Sequence, residues 1–149
     1  MKKIIVLALV LTALATTAFS NNSDNINRQA LNTFSKNYIN PQDVQWESLD
    51  GYLKVTFKID GQQLFAYYRE DGEQFAVTRN ILSTQLPISL SAELKSKCNN
   101  QWLTELFEIS SNGETTYFAT LNSADKVTVL RADASGNWSV FKKARRTAE

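Results

Sequence analysis

The sequence predicts an α+β domain, an antiparallel sheet with helices on one face, and three observations predict it. Asp-Gly pairs at 50–51, 60–61 and 71–72 separate β-rich runs at spacings of ten and eleven residues. Within one run, Leu53, Val55, Phe57 and Ile59 alternate with Tyr52, Lys54, Thr56 and Lys58, the period of a strand with one buried and one wet face. Two short segments of helical period each precede such a set of runs.

The chain opens with Lys2 and Lys3 and then runs apolar from Ile4 to Ala15, interrupted only by Thr12. A basic start, an apolar stretch of this length and the small residues Ala18 and Ser20 predict a signal peptide over 1–20. Cleavage after Ala18 is the alternative. The apolar run falls short of the roughly 20 residues that span a bilayer. No cysteine follows it to carry a lipid, so a soluble mature protein, periplasmic or secreted, is expected.

The first helix is predicted from Ile26, because Ile26, Ala30, Phe34 and Tyr38 recur every four residues with Leu31 beside them. Asp24 or Asn25 is positioned to cap it, and Asn40-Pro41 ends it. Strands follow at 44–49, 52–59, 62–69 and 73–80. Asp-Gly between such runs is the sequence of a type I′ hairpin turn, which needs positive φ at both central residues. After Leu86-Pro87 a second helix is predicted over 88–98, its apolar positions being Leu90, Leu94 and Cys98. Strands at 101–110, 114–122, 126–132 and 137–143 complete the chain, with turns at Asn112-Gly113, near Ala124-Asp125 and at Ser135-Gly136.

The turns at 50, 60 and 71 map onto 112, 124 and 135, offsets of 62, 64 and 64, and the helix starts differ by 62. A near-constant offset in element order predicts an internal repeat. The domain reading is a signal peptide at 1–20 and two helix-plus-four-stranded meander units at 24–87 and 88–149, forming one curved sheet.

Composition excludes several functions. Without the first 20 residues, 14 basic side chains face 15 acidic ones, so no basic face for nucleic acid or anionic membrane is expected. Histidine is absent, which removes the commonest general base and metal ligand. The lone Cys98 forms no intramolecular disulfide, leaving a buried apolar filler, the preferred reading, or a dimerising thiol. All five glycines lie in turns, so no phosphate-cradling loop exists. Glu70, Asp71 and Glu73 lack calcium-loop spacing and read as a solvated hairpin tip. No enzyme, cofactor or metal is predicted. The basic run Lys142, Lys143, Arg145 and Arg146 reads first as a solvated tail, and second as a contact for an anionic partner.

Particular stretches resemble the exported PepSY-like proteins of bacteria, which share the architecture of β-lactamase-inhibitor protein. They are Asp43-Val44-Gln45-Trp46, Gly51-Tyr52, Val55-Thr56-Phe57, Tyr67-Tyr68 with Asp71-Gly72-Glu73, Leu86-Pro87, and Tyr117 with Gly136. The resemblance implies tandem units, helices on the convex side, and an open concave face that grips a partner. It transfers no catalytic residue.

The 16 aromatic residues sharpen this expectation. In the third strand Leu64, Ala66 and Tyr68 face one side while Phe65, Tyr67 and Arg69 face the other. Phe107 and Ile109 likewise oppose Trp102 and Leu106, and Tyr117 opposes Phe118. Such rings pack along the seam between the halves, shield each other across strands, or form an exposed patch of the kind that binds proteins. On the last reading the contact residues are Tyr52, Phe65, Tyr67 and Trp138, with Lys54 and Arg69 as polar rim, and the stability of the domain is independent of Tyr67 and Trp138. The expected function is a monomeric, non-catalytic module that docks an envelope protein or peptide on its concave face, inhibiting or regulating an envelope enzyme or sensor. The alternative is a small-molecule or lipid carrier using the same face.

Overall fold

The computed structural model describes residues 26–133 and 136–145. The predicted signal peptide, the two proposed caps Asp24 and Asn25, and Arg146 of the basic run lie outside them. In chain order the elements are α1 (Arg28–Asn37), β1 (Gln42–Leu49), β2 (Tyr52–Ile59), β3 (Gln62–Tyr68) and β4 (Gln74–Asn80), then a 3-10 turn (Ser83–Gln85), α2 (Ile88–Lys97), β5 (Trp102–Ser111), β6 (Glu114–Asn122), β7 (Lys126–Asp133) and β8 (Ser139–Arg145). The eight strands form one open antiparallel sheet in sequential order, with β4 paired to β5.

The cap of α1 is Asn27, whose side chain accepts the Gln29 amide at 2.8 Å. Its amide nitrogen donates to the Glu70 carbonyl, tying the helix start to the β3–β4 turn. Of the hairpins, Asp60-Gly61 and Asn112-Gly113 have positive φ at both residues, as a type I′ turn requires. At Asp50-Gly51 only the glycine does, so the type I′ expectation fails there. The Asp71-Gly72 connection is longer: Arg69 and Glu73 pair through the backbone, and the Asp71 carboxylate accepts the Glu73 amide. Gly72 lies under α1 at φ +84, where an added Cβ would meet the Gln29 Cβ at 2.6 Å. Glycine is required at this position by both conformation and space.

Register assigns the two faces. On one, Ala30 and Phe34 of α1 pack with Leu53, Val55, Phe57, Ala66 and Tyr68. On the same face, Leu90 and Leu94 of α2 pack with Leu106, Tyr117, Ala119, Leu121 and Leu130. Both helices therefore cover one side. Between them, at the β4–β5 junction, this side carries Arg79, which donates to Glu108 at 2.6 Å, beside the Val77–Ser110 pair. The Gln74 side chain clamps α1 to the sheet, its oxygen accepting from Tyr38 (3.0 Å), Tyr68 (2.9 Å) and Asn37 (3.2 Å). Burial pushes the Tyr38 and Tyr68 phenols up from their ordinary pKa, and the neighbouring Tyr38 adds to the rise at Tyr68.

Candidate functional site

The opposite face carries its own apolar cluster, to which neither described helix contributes. Tyr67, Phe75, Ala76, Phe107, Ile109, Phe118 and Val129 are buried in it, with Tyr52, Phe65 and Phe141 packed at its margin. The rings meet at angles favoured by their quadrupoles. Phe107 stacks on Phe118 at 5.3 Å, and Phe141 meets Phe118 edge-on at 5.4 Å. Tyr52, Tyr67 and Phe75 form a second group with centroids 6.1–6.3 Å apart.

Two bulges build this cluster. The register shift between Tyr67 and Tyr68 leaves Phe75 as an extra residue of β4, and the shift in β7–β8 leaves Phe141 as an extra residue of β8. Each bulge turns an additional ring onto the helix-free face. Of the sequence alternatives for the two-faced strands, shielding across strands describes these rings: Tyr52, Tyr67 and Phe75 meet within β2–β4, and Phe107, Phe118 and Phe141 within β5–β8.

The predicted contact residues separate in the structure. Tyr52, Lys54, Phe65, Tyr67 and Arg69 do share the helix-free face. Lys54 reaches Glu47 at 3.3 Å and stands 5.5 Å from the Phe65 ring centroid, while Arg69 pairs with Glu73 and lies 5.2 Å from the Phe75 ring. Tyr67, however, is only 1% exposed, so it supports the face from beneath rather than presenting a surface. Trp138 lies on the helix side. It is 4% exposed, its indole N–H donates to the Leu90 carbonyl at 2.9 Å, and its backbone N–H donates to Glu93 at 3.1 Å. The expectation that the stability of the domain is independent of these two rings is therefore incorrect, because both are core side chains.

Sequence reasoning placed Trp102 and Leu106 on one face. A register shift between Leu103 and Glu105 resets the alternation, so Leu103 joins the helix-side core and Trp102 turns to the helix-free face opposite Asn122. There it is 65% exposed. No local signal in Trp102–Ser111 announces that bulge, which is visible only against β6.

No group of three metal-ligating side chains occurs among the described residues, and the acidic hairpin tip is occupied with its own turn and with Arg69. Two surface depressions flank α1, lined by side chains such as Asn37, Asn40 and Asp60 in one and Asn32, Lys36 and Asp71 in the other. Both are polar. Cys98 is half-buried against the α2 core, and burial raises its thiol pKa. No described helix is long and apolar enough to cross a membrane.

The geometry defines a class: an open eight-stranded antiparallel sheet, lidded by two helices on one side and bearing aromatic rings on the other. No family model and no curated protein matches the chain. Solved structures do. A DUF2874 family protein of Bacteroides ovatus superposes with TM-score 0.72 at 16% identity, covering 83% of this chain and 89% of that one. A BLIP-like protein of Bacteroides fragilis does so with TM-score 0.70 at 15% identity, covering 87% and 94%. A third, from Bacteroides eggerthii, bears a provisional name placing it in the periplasm; it matches with TM-score 0.71 at 9% identity, covering 81% and 89%. At these identities the likeness shows the fold, and the fold is BLIP-like.

Proposed function

We propose that this protein is a non-catalytic binding module, periplasmic or secreted, that docks a protein or peptide on the helix-free face of its sheet. Inhibition or regulation of an envelope enzyme or sensor by steric occlusion is the form of action proposed. One observation carries the reading: an apolar, ring-rich sheet face without a described helix over it, bordered by the partly exposed Tyr52 and Phe65, with the exposed Trp102 farther along the same face beyond Glu105 and Thr120. Such rings give large contact area at low entropic cost, and rings already packed against one another lose little freedom on docking. Lys54 and Arg69 supply the polar rim. The BLIP-like fold, the resemblance to PepSY-like proteins and the reading of 24–87 and 88–149 as repeated units agree with a preorganised concave surface. The chain carries no histidine to serve as a general base.

Native mass spectrometry of the protein isolated from its own host tests this. An intact protein or peptide adduct, lost on Trp102→Ala and Phe65→Ala substitution, is expected. A co-purifying small molecule would overturn the reading in favour of a carrier.

A further inference from the structure

We propose that the outer edge of β8 is a strand-addition site for an acidic, extended segment of a partner protein. This inference rests on charge and edge geometry, independently of the docking role assigned to the helix-free face.

β1 and β8 are the two ends of the open sheet, and each edge strand turns alternate N–H and C=O groups outward, with no further strand among the described residues to take them. The β1 edge is blunted. Pro41 precedes it, Asp43 sits at φ 51, and the register slips between Gln42 and Gln45. Its two carboxylates are also already held, Asp43 by Lys58 at 2.8 Å and Glu47 by Lys54 at 3.3 Å. Among the described residues no strand pairs with the outer side of β8, which is exposed along nearly its whole length, Val140 being 54% exposed.

Charge distinguishes β8 further. From residue 126 to 145 the described chain carries Lys126, Arg131, Lys142, Lys143 and Arg145 against Asp133 alone, whereas from 26 to 125 twelve carboxylates face eight basic side chains. Lys142, Lys143 and Arg145 form no ion pair among the described residues. Lys126 and Arg145 are cross-strand partners, a like-charge pairing that an added anion relieves. A second copy of this chain is a poor occupant, because β8 against β8 sets cations on cations and β1 offers a bulged edge with its acids engaged.

The register specifies the segment. Val140, Lys143 and Arg145 point to the helix side, while the bulge sends Phe141 and Lys142 to the other. The incoming strand should therefore carry carboxylates at alternate positions facing Lys143 and Arg145, and an apolar side chain beside Val140. Backbone pairing supplies affinity and the charges supply selection, as in other strand-addition complexes.

The probe is a labelled ten-residue peptide alternating Glu with Val, compared with the same peptide bearing Pro at alternate positions, and with phosphatidylglycerol vesicles. The unbroken peptide should bind in a salt-sensitive manner and slow hydrogen exchange at outward-facing β8 amides. The exposed triple variant K142E/K143E/R145E should keep its fold and weaken binding by at least about tenfold. Equal binding of the proline peptide, binding of vesicles but not peptide, unchanged β8 exchange, or no binding at millimolar peptide would each overturn the proposal. Trp102→Ala and Phe65→Ala should leave this peptide binding unchanged, which separates its failure from failure of the docking face.

Discussion

Replacing Trp138 by alanine should unfold much of the domain's stability margin, whereas the same change at Trp102 should not. Trp138 is 4% exposed beneath α2, and it joins the lead-in to β8 to the Leu90 carbonyl by a 2.9 Å hydrogen bond. An indole buried to this degree withdraws up to about 250 Å² from water, an upper bound of about 6 kcal/mol at about 25 cal/mol/Å². Truncations of this kind realise about 3–5 kcal/mol, because the surroundings partly relax. Domain stability is typically about 5–15 kcal/mol, so the loss is a large fraction of it. With a urea slope of roughly 1–3 kcal/mol/M, the midpoint should fall by roughly 2 M. Trp102, at 65% exposure, should cost within about 0.5 kcal/mol. Urea titrations followed by far-UV circular dichroism, which does not depend on the altered chromophore, read both. Should Trp138→Ala not fold, Trp138→Phe keeps a ring and still loses the N–H donor, for about 1–2 kcal/mol. If the variants at 138 and 102 shift the midpoint equally, the assignment of Trp138 to the core is wrong.

The other expectations follow from contacts of the same kind. Gly72→Ala should cost roughly 3 kcal/mol, since its Cβ would collide with Gln29 and Ala30, whereas Gly61→Ala, with open space around it, should cost only about 1 kcal/mol of backbone strain; thermal melts compare them. Gln74→Met should cost about 2 kcal/mol by leaving the Tyr38 and Tyr68 hydroxyls without their acceptor, and a loss below 0.5 kcal/mol would deny the clamp, 0.5 being about the level of an ordinary surface substitution. Because burial raises the phenol pKa of Tyr38, Tyr68 and Tyr117 in the folded state, the unfolded chain ionises first, near the ordinary phenol value of about 10. Stability should thus begin to decline above about pH 8.5, where the Cys98 thiol of the unfolded chain ionises first, and fall further as pH rises beyond 10; a urea midpoint that rises in this range would contradict it. The Cys98 thiol, raised by burial, should react with Ellman's reagent at pH 7 much more slowly than free cysteine, and accelerate to the free rate in urea.

Much of the sheet was legible because its turns are written in glycine and its alternation in apolar residues. Asp60-Gly61 and Asn112-Gly113 need φ values that few other pairs adopt, and β2 alternates without fault. The helix cap is Asn27, whose side chain also reaches the β3–β4 turn, a tertiary contact with no local mark. The candidate site was harder for a related reason. Bulges change which face a residue takes, and a bulge is defined by the partner strand. Trp102 was therefore placed on the wrong side and Phe75 and Phe141 were not singled out, while Tyr52, Lys54, Phe65 and Arg69 lie on the helix-free face as their alternation implied. Trp138 precedes β8 outside any alternating run, so its partner Leu90, 48 residues away, could not be read from its neighbours.

Photocrosslinking from defined positions in the native host tests the docking face most directly. A benzophenone side chain placed at Phe65 or Trp102 should yield a discrete protein adduct, and one placed at the exposed helix positions Leu31 or Ile88 should yield none. Adducts of equal strength from the helix positions, or none from the sheet, would contradict the assignment of function to this face.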